Sequence, residues 1–131
     1  MIHKAKLAKQ AGKALEIWGT GTPLRQNIYS RDLGKLLVWA LREYDSTETV
    51  ICSTDLPDEK SINEWAAMVT KSMNYEGKTV HLTEKGDGQH QKTASNAKLR
   101  ALLPQFKFTP PEVAIRETVE WFEQNYDTCR K

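Results

Sequence analysis

The strongest constraint in this sequence is a run of apolar residues with helical spacing between positions 33 and 44. Leucine, alanine and tyrosine side chains recur there at intervals of three and four residues, which places them on one face of an α-helix. Such a helix is stabilised mainly by packing of its apolar face, so the chain is expected to fold around a hydrophobic core. The stripe consists of Leu33, Leu36, Leu37, Ala40, Leu41 and Tyr44.

The rest of the chain predicts further helices separated by short β-prone runs. Capping-box patterns start at Ser61 and at Thr109, and Ser30 or Asp32 is expected to cap the helix described above. Helices are expected over 2–11, 61–73, 96–103 and 109–126, and short strands over 14–18, 25–29, 49–53 and 79–82. The pattern predicts one mixed α/β domain over residues 1–131, with helices and short strands.

Composition excludes several classes of protein. A length of 131 residues suffices for one domain with a core, and no apolar run approaches the roughly 20 residues of a membrane span. A net charge of +2, with both signs interspersed, is not typical of a nucleic-acid-binding surface. Two cysteines do not make a disulfide framework, so a reducing, cytoplasmic compartment is expected. We expect Cys52 in the core and Cys129 at the surface.

Common catalytic and cofactor motifs are not evident. The turn 19–21, Gly-Thr-Gly, lacks the third glycine of a dinucleotide signature and leads into a predicted strand, which favours a plain turn. The histidines His3, His81 and His90 have no partners at metal-ligand spacing, so no metal site is predicted. No nucleophile and base are marked by their spacing.

Basic residues in four separate polar or turn segments suggest anion binding. They are Lys4, Arg25, Lys92 and Lys98. A strand-end arginine can hold phosphate oxygens bidentately, and Trp18 could offer a ring face to a sugar or a base. From the residues alone, a solvated charged surface and a core tryptophan remain the alternative.

The segment 18–33, WGTGTPLRQNIYSRDL, resembles a signature of the GDP-L-fucose synthase family, which reads WGTG-x-P-x-RQ-F-I-Y-S-x-DL. Further matches follow in order along the chain, among them 87–89, 92–96 and 108–110. This family belongs to the extended short-chain dehydrogenase/reductases. The resemblance implies that residues 1–131 are a small C-terminal substrate-binding domain and that the NADP-binding Rossmann domain is absent.

The resemblance also implies an activity and a site. The family converts GDP-4-keto-6-deoxy-D-mannose to GDP-L-fucose by epimerisation and NADPH-dependent reduction. It implies that Trp18 lines the nucleotide-sugar site, that Arg25 contacts the diphosphate, that Lys4 and Asp87 contact substrate, and that Lys92 lies close to it. NADPH would bind the absent domain, and no cofactor is expected on this chain.

Two expectations follow about the chain by itself. We expect no catalysis, because binding without a hydride source or proton donor cannot lower the barrier. The apolar faces of 31–44 and 49–53, including Val38 and Trp39, are expected to pack on the absent domain, so self-association through them is predicted. Two alternatives stay open: a related nucleotide-sugar enzyme with another base or sugar, and a stand-alone non-catalytic nucleotide-sugar-binding or interaction domain.

Overall fold

The computed structural model describes residues 1–131 as five α-helices and four short strands, which confirms the mixed α/β prediction. Two single-turn 3₁₀ segments, Leu56–Asp58 and Thr83–Lys85, lie in the connections. The helices are α1 (Ile2–Ala11), α2 (Ser30–Glu43), α3 (Ile62–Ser72), α4 (Ala97–Leu102) and α5 (Pro111–Gln124). The strands are β1 (Leu15–Trp18), β2 (Leu24–Arg25), β3 (Lys60–Ser61) and β4 (Thr79–Leu82).

The hydrophobic core lies between α1, α3, α5 and β1. Small side chains, Ala5 and Ala8, are the buried positions of α1 and let this helix lie close to the strand that follows it. Gly12 ends α1 in the left-handed conformation, as the sequence predicts. The core cluster consists of Ala5, Ala8, Leu15, Val69, Met73 and Val119.

Two small sheets connect distant parts of the chain. β1 and β4 pair in parallel, from Leu15 opposite Thr79 to Trp18 opposite Leu82, and β2 pairs with β3 in antiparallel fashion. Along β1 the side chains alternate between buried and exposed, because successive residues of a strand point to opposite faces. One face of β1 therefore contributes to the core, and the other lies towards solvent.

The start of α2 differs from the prediction. Neither Ser30 nor Asp32 caps this helix, which begins after Tyr29 without a side-chain cap. The Asp32 carboxylate is buried and accepts hydrogen bonds from the Thr109 amide, at 2.6 Å, and from Lys35, at 3.0 Å. Although burial opposes ionisation, these hydrogen bonds hold the pKa of Asp32 below its ordinary value.

The predicted capping box at Thr109 is also wrong, because the amide group of Thr109 bonds to a residue of another helix. The Thr109 amide donates to Asp32, and α5 begins at Pro111, with Pro110 rather than Thr109 at the N-cap and no side-chain hydrogen bond there. The capping box at Ser61 is confirmed, because its hydroxyl accepts from the Glu64 amide and the Glu64 carboxylate accepts from the Ser61 amide.

The predicted strand over 49–53 does not form. The segment has no strand partner, and a strand is stable only when its backbone groups pair with a neighbour. Ile51 is exposed there, whereas Cys52 is half-buried rather than part of the core. Cys129 is also half-buried rather than a surface residue, and both thiols are free.

The strand predicted over 25–29 is wrong for 26–29, because the observed strand, β2, consists of Leu24 and Arg25. Only Leu24 and Arg25 pair with β3, since that strand is itself two residues long.

The longest helices, α2 and α5, have 14 residues each, and no helix of the structure combines the length and the hydropathy needed to cross a bilayer.

Candidate functional site

A cavity of about 350 Å³ opens between α1, β1, the start of β2 and the loop after β4. Four of the five residues predicted for the site line it: Lys4, Trp18, Arg25 and Asp87. They come from four separate segments of the chain, and the fold brings them together. The remaining lining residues are Met1, Leu15, Glu16, Ile17, Pro23, Ile62 and Gly86.

Trp18 presents its indole ring to solvent rather than to the core. It is the last residue of β1, its side chain lies on the outer strand face, and it is 61% exposed. The Lys4 ammonium lies 4.5 Å from the centre of the ring, and the Lys85 ammonium lies 5.6 Å from it. Both distances suit cation–π attraction, so the aromatic surface of the cavity carries positive charge beside it.

Arg25 joins β2 to the loop after β4. Its guanidinium donates to three backbone carbonyls: that of Leu24 at 2.6 Å, that of Gln89 at 2.9 Å and that of His90 at 3.4 Å. A guanidinium has five N–H donors, so two remain for a ligand. Arg25 therefore supports the cavity wall and still offers a fixed cation to an anion.

Asp87 lies opposite the turn that follows β1. Its two carboxylate oxygens accept from the Thr20 amide, at 2.6 Å, and from the Thr20 hydroxyl, at 2.7 Å. The hydrogen bond from the Thr20 hydroxyl is the main cause that holds the pKa of Asp87 below its ordinary value. The cavity wall thus carries an ionised carboxylate, with oxygen lone pairs left for hydroxyl donors.

The polar loop over 83–92 has no apolar anchor in the sequence, and hydrogen bonds fix it instead. Besides the contacts of Arg25 and Asp87, Gln91 donates to Glu59 at 2.9 Å and forms a bridge with Leu24. Binding groups on loops held by a rigid scaffold are typical of functional sites.

The other two lysines considered for anion binding lie elsewhere. Lys92 is exposed and does not line the cavity. Lys98 donates to the Glu48 carboxylate, at 2.6 Å, on the side of the molecule where α2 ends. Lys98 therefore lies outside the cavity, and its charge is neutralised by an ion pair.

Sequence reasoning missed several residues of the cavity. Glu16 is the most important of them, because it adds a second carboxylate to the lining. Its position two residues before Trp18 puts it on the same face of β1, and this alternation was the signal that could have found it. Met1, Pro23 and Ile62 add apolar walls, which no spacing in the sequence indicates.

The arrangement suits a ligand that combines an anionic group with an aromatic or sugar ring. Lys4 and Arg25 provide fixed positive charge, Trp18 provides a flat apolar surface, and Asp87 and Glu16 accept from hydroxyl or amide donors. No group of three or more His, Cys, Asp or Glu side chains lies close enough together to hold a metal ion.

Comparison with known families finds a match in the N-terminal part of the chain. A model of the NAD dependent epimerase/dehydratase family matches residues 1–52, which include α1, β1, β2 and α2. These residues carry three of the four predicted cavity residues. Over these residues the chain is similar to that family.

Three individual proteins are similar to nearly the whole chain. The GDP-L-fucose synthase of Dictyostelium discoideum is 47% identical over 131 residues, which are 100% of this chain and 41% of that protein. The probable GDP-L-fucose synthase of Drosophila melanogaster is 50% identical over 119 residues, 91% of this chain and 37% of that protein. The crystal structure of a GDP-L-fucose synthetase from Naegleria fowleri bound to NADP superposes with a TM-score of 0.97 at 44% identity, covering 99% of this chain and 39% of that one.

The chain is therefore homologous to GDP-L-fucose synthases along its whole length. It spans about two fifths of the length of the curated relatives that it matches.

Proposed function

We propose that this chain is the nucleotide-sugar-binding part of an NADPH-dependent epimerase–reductase that makes GDP-L-fucose from GDP-4-keto-6-deoxy-D-mannose. The observation that carries the proposal is the cavity, in which Lys4, Trp18, Arg25 and Asp87 meet. The names of the relatives support the same activity, since they are GDP-L-fucose synthases. The finer assignment of residues 1–131 as a small C-terminal substrate-binding domain is part of this proposal.

Each cavity residue has a role in binding such a ligand. The two free donors of Arg25 and the ammonium of Lys4 balance the charge of a diphosphate. Trp18 packs against a ring of the ligand, and Asp87 accepts from ligand hydroxyls. Lys92, exposed at the end of the same loop, adds positive charge close to the bound substrate without a fixed contact.

The nicotinamide cofactor is assigned to a part of the protein outside these residues. NADPH supplies the hydride of the reduction when it is bound. The turn over 19–22 does not fit its pyrophosphate, because the chain continues from this turn into β2 and presents no helix N-terminus there. The greater length of the relatives leaves room for a cofactor-binding part.

It follows that the chain alone binds ligand but does not turn it over. Binding and orientation contribute to rate only when a hydride source and a proton donor are positioned as well. Purified chain with GDP-4-keto-6-deoxy-D-mannose and NADPH should therefore give no loss of NADPH absorbance. Measurable NADPH consumption would contradict this part of the proposal.

The binding proposal is tested by calorimetric titration with GDP, with UDP as the competing base. We expect GDP to bind, UDP to bind more weakly, and Arg25→Ala to lose at least about tenfold in affinity, because charge-assisted contacts to the diphosphate are lost. Arg42→Ala, an exposed arginine in the last turn of α2, is the matched control and should bind as the wild type does. Absence of GDP binding by the wild type would overturn the proposal for the isolated chain.

We also propose that the chain associates with itself through α2. Leu37, Val38 and Leu41 share one face of this helix and are 58%, 49% and 87% exposed. The half-buried Trp39, which packs with Tyr44 at 5.7 Å between ring centres, contributes less to this face than expected. Sedimentation velocity should show a concentration-dependent dimer that Leu41→Glu abolishes, and a monomer at all concentrations would refute the association.

A stand-alone binding module remains the second candidate function. It shares the cavity but needs no second part. The two free thiols, Cys52 and Cys129, suit the cytoplasmic compartment that we propose for either candidate. Sequencing the transcript upstream of Met1 discriminates between the two candidates, since an enzyme requires coding sequence for a cofactor-binding part.

A further inference from the structure

The turn over 19–22, between β1 and β2, is held unusually closely by two other segments. Gly19 and Gly21 adopt φ values of +77° and +73°. A Cβ atom on Gly19 would lie 2.1 Å from Oδ1 of Asp87, and one on Gly21 would lie 2.0 Å from Oδ1 of Asn63. Both glycines are therefore required by their neighbours as well as by their own backbone conformation.

Thr20, between the two glycines, uses its amide, hydroxyl and carbonyl groups in this arrangement. The amide and the hydroxyl donate to different oxygens of Asp87, at 2.6 and 2.7 Å. The carbonyl accepts from the Asn63 side-chain amide at 3.2 Å, and the Asn63 backbone amide donates to the Gly21 carbonyl at 2.9 Å. The Thr20 hydroxyl also lies 2.7 Å from that of Thr22.

Asn63 is itself oriented by a further contact. Its Oδ1 lies 2.8 Å from Nε2 of His81, a residue of β4. The turn is thus enclosed by side chains from α3 and from the loop after β4, and each of these residues has a defined hydrogen-bond partner. A carboxylate bound by two donors of one residue has its position and its orientation fixed.

We propose that Thr20 is a positioning residue of the cavity: it fixes the Asp87 carboxylate, and with it the loop over 83–92, against the wall formed by Trp18 and Arg25. This inference rests on the proposed function, because the cavity is taken as the ligand site. Thr20 does not line the cavity, so it acts through Asp87 and not on the ligand.

The loop then has three attachments on the cavity side. They are the pair of bonds from Thr20 to Asp87, the pair from Arg25 to the carbonyls of Gln89 and His90, and the bond from the Leu24 amide to the His90 carbonyl, at 2.8 Å. Loss of the Thr20 hydroxyl leaves one oxygen of Asp87 without its donor. The carboxylate then rotates away from the orientation in which it accepts from a ligand.

The test compares Thr20→Val, Thr20→Ser and Thr128→Val. Valine keeps the shape of threonine without its hydroxyl, serine keeps the hydroxyl, and Thr128 is an exposed threonine whose hydroxyl bonds only to a nearby backbone carbonyl. Two quantities are measured: the affinity for GDP by calorimetry, and the hydrogen-exchange rates of the amides of Thr20 and of 86–90 by NMR in the ligand-free protein.

We expect Thr20→Val to weaken GDP binding about tenfold, the usual effect of losing one hydrogen bond to a charged group, and to speed exchange of these amides about as much. Thr20→Ser should restore both quantities, and Thr128→Val should change neither. Faster exchange with unchanged GDP affinity would reduce Thr20 to a structural role and overturn the inference. Weaker binding with unchanged exchange would also overturn it, because Thr20 would then act on the ligand directly.

The two measurements distinguish a failure of the proposed function from a failure of this inference. If the wild type does not bind GDP, that function fails for the isolated chain. The exchange rates then decide by themselves whether Thr20 fixes the loop, and unchanged rates in Thr20→Val would overturn the inference.

Discussion

The cavity region and the α2 region of this molecule differ in how fully their side chains find partners within the chain. Around the cavity, Thr20, Arg25 and Asp87 are all hydrogen-bonded to segments distant in sequence. On α2, the apolar side chains Leu37 and Leu41 face solvent, although the helix is strongly amphipathic. The polar groups of the first region pair within the chain, whereas the second region presents a surface of the kind that usually packs against something else.

The difference follows from how polar and apolar groups respond to missing partners. A polar group at the solvent-accessible cavity wall can bond to water when it lacks a partner, so each hydrogen bond there contributes only about 0.5–1.5 kcal/mol, and several together hold the wall. An exposed apolar side chain forgoes only about 25 cal/mol per Å² of burial, which a folded chain tolerates. The segment 49–53 likewise leaves an apolar side chain, Ile51, exposed to solvent.

The largest expected effect separates the two faces of α2. Leu36 is fully buried and Leu41 is 87% exposed. Leu36→Ala should lower the free energy of unfolding by about 2–5 kcal/mol, because it leaves a cavity in the core. Leu41→Ala should change it by less than about 0.5 kcal/mol, as is usual for surface positions. Urea unfolding at low protein concentration measures both, and equal costs would mean that the exposed face is covered in solution.

A second comparison uses one glycine from each region. Gly21→Ala should destabilise the protein by about 1–3 kcal/mol, because alanine is strained at positive φ and its Cβ meets Asn63. Gly34 lies inside α2 with open space around it, so Gly34→Ala should stabilise the protein by about 0.5–1 kcal/mol. Thermal unfolding of the two variants should shift in opposite directions, and a stabilising Gly21→Ala would show that the turn is not clamped.

The contact between Asp32 and Thr109 attaches α2 to the segment before α5. The pKa of Asp32 lies below its ordinary value in the folded protein, so its stabilising contribution is present at neutral pH and is lost as the pH falls through the folded-state pKa. The wild type should therefore lose about 1–3 kcal/mol more than Asp32→Asn between pH 7 and pH 2.

Urea unfolding as a function of pH measures this difference. Glu123→Gln is a suitable control, because the Glu123 side chain is exposed and forms no ion pair, and it should keep the pH dependence of the wild type. Parallel pH curves for the wild type and Asp32→Asn would show that the Asp32–Thr109 contact is not maintained in solution.

The smallest expected effect is that of Lys92. It is exposed, and its charge reaches a ligand in the cavity only through solvent. Lys92→Ala should therefore reduce GDP affinity by no more than about threefold in calorimetry. A loss as large as that of Arg25→Ala would place Lys92 in direct contact with the diphosphate.

Local sequence patterns predicted several elements well. The helix over 2–11, its glycine stop, the strand that ends at Trp18 and the capping box at Ser61 all depend on residues a few positions apart. The predicted strand over 49–53 failed for a non-local reason: β-prone residues form a strand only beside another strand.

The sequence named five residues for the proposed site through a resemblance that extends along the whole chain, and four of them line one cavity. The sequence did not predict which contacts hold these residues in place. That Asp87 binds Thr20, 67 residues away, and that Arg25 holds the carbonyl of Gln89 follow only from the folded arrangement.

The sequence by itself determined where the five helices and the strands β1 and β4 lie, and that the chain is mixed α/β. Only the tertiary structure decided which polar groups meet at the cavity and which apolar face stays exposed. It also decided that the Asp32 carboxylate accepts from the Thr109 amide instead of capping α2. The physical reason is one of range: backbone preferences are set by neighbours within a helical turn or a strand. A cavity and its hydrogen bonds are set by the packing of segments far apart in the chain.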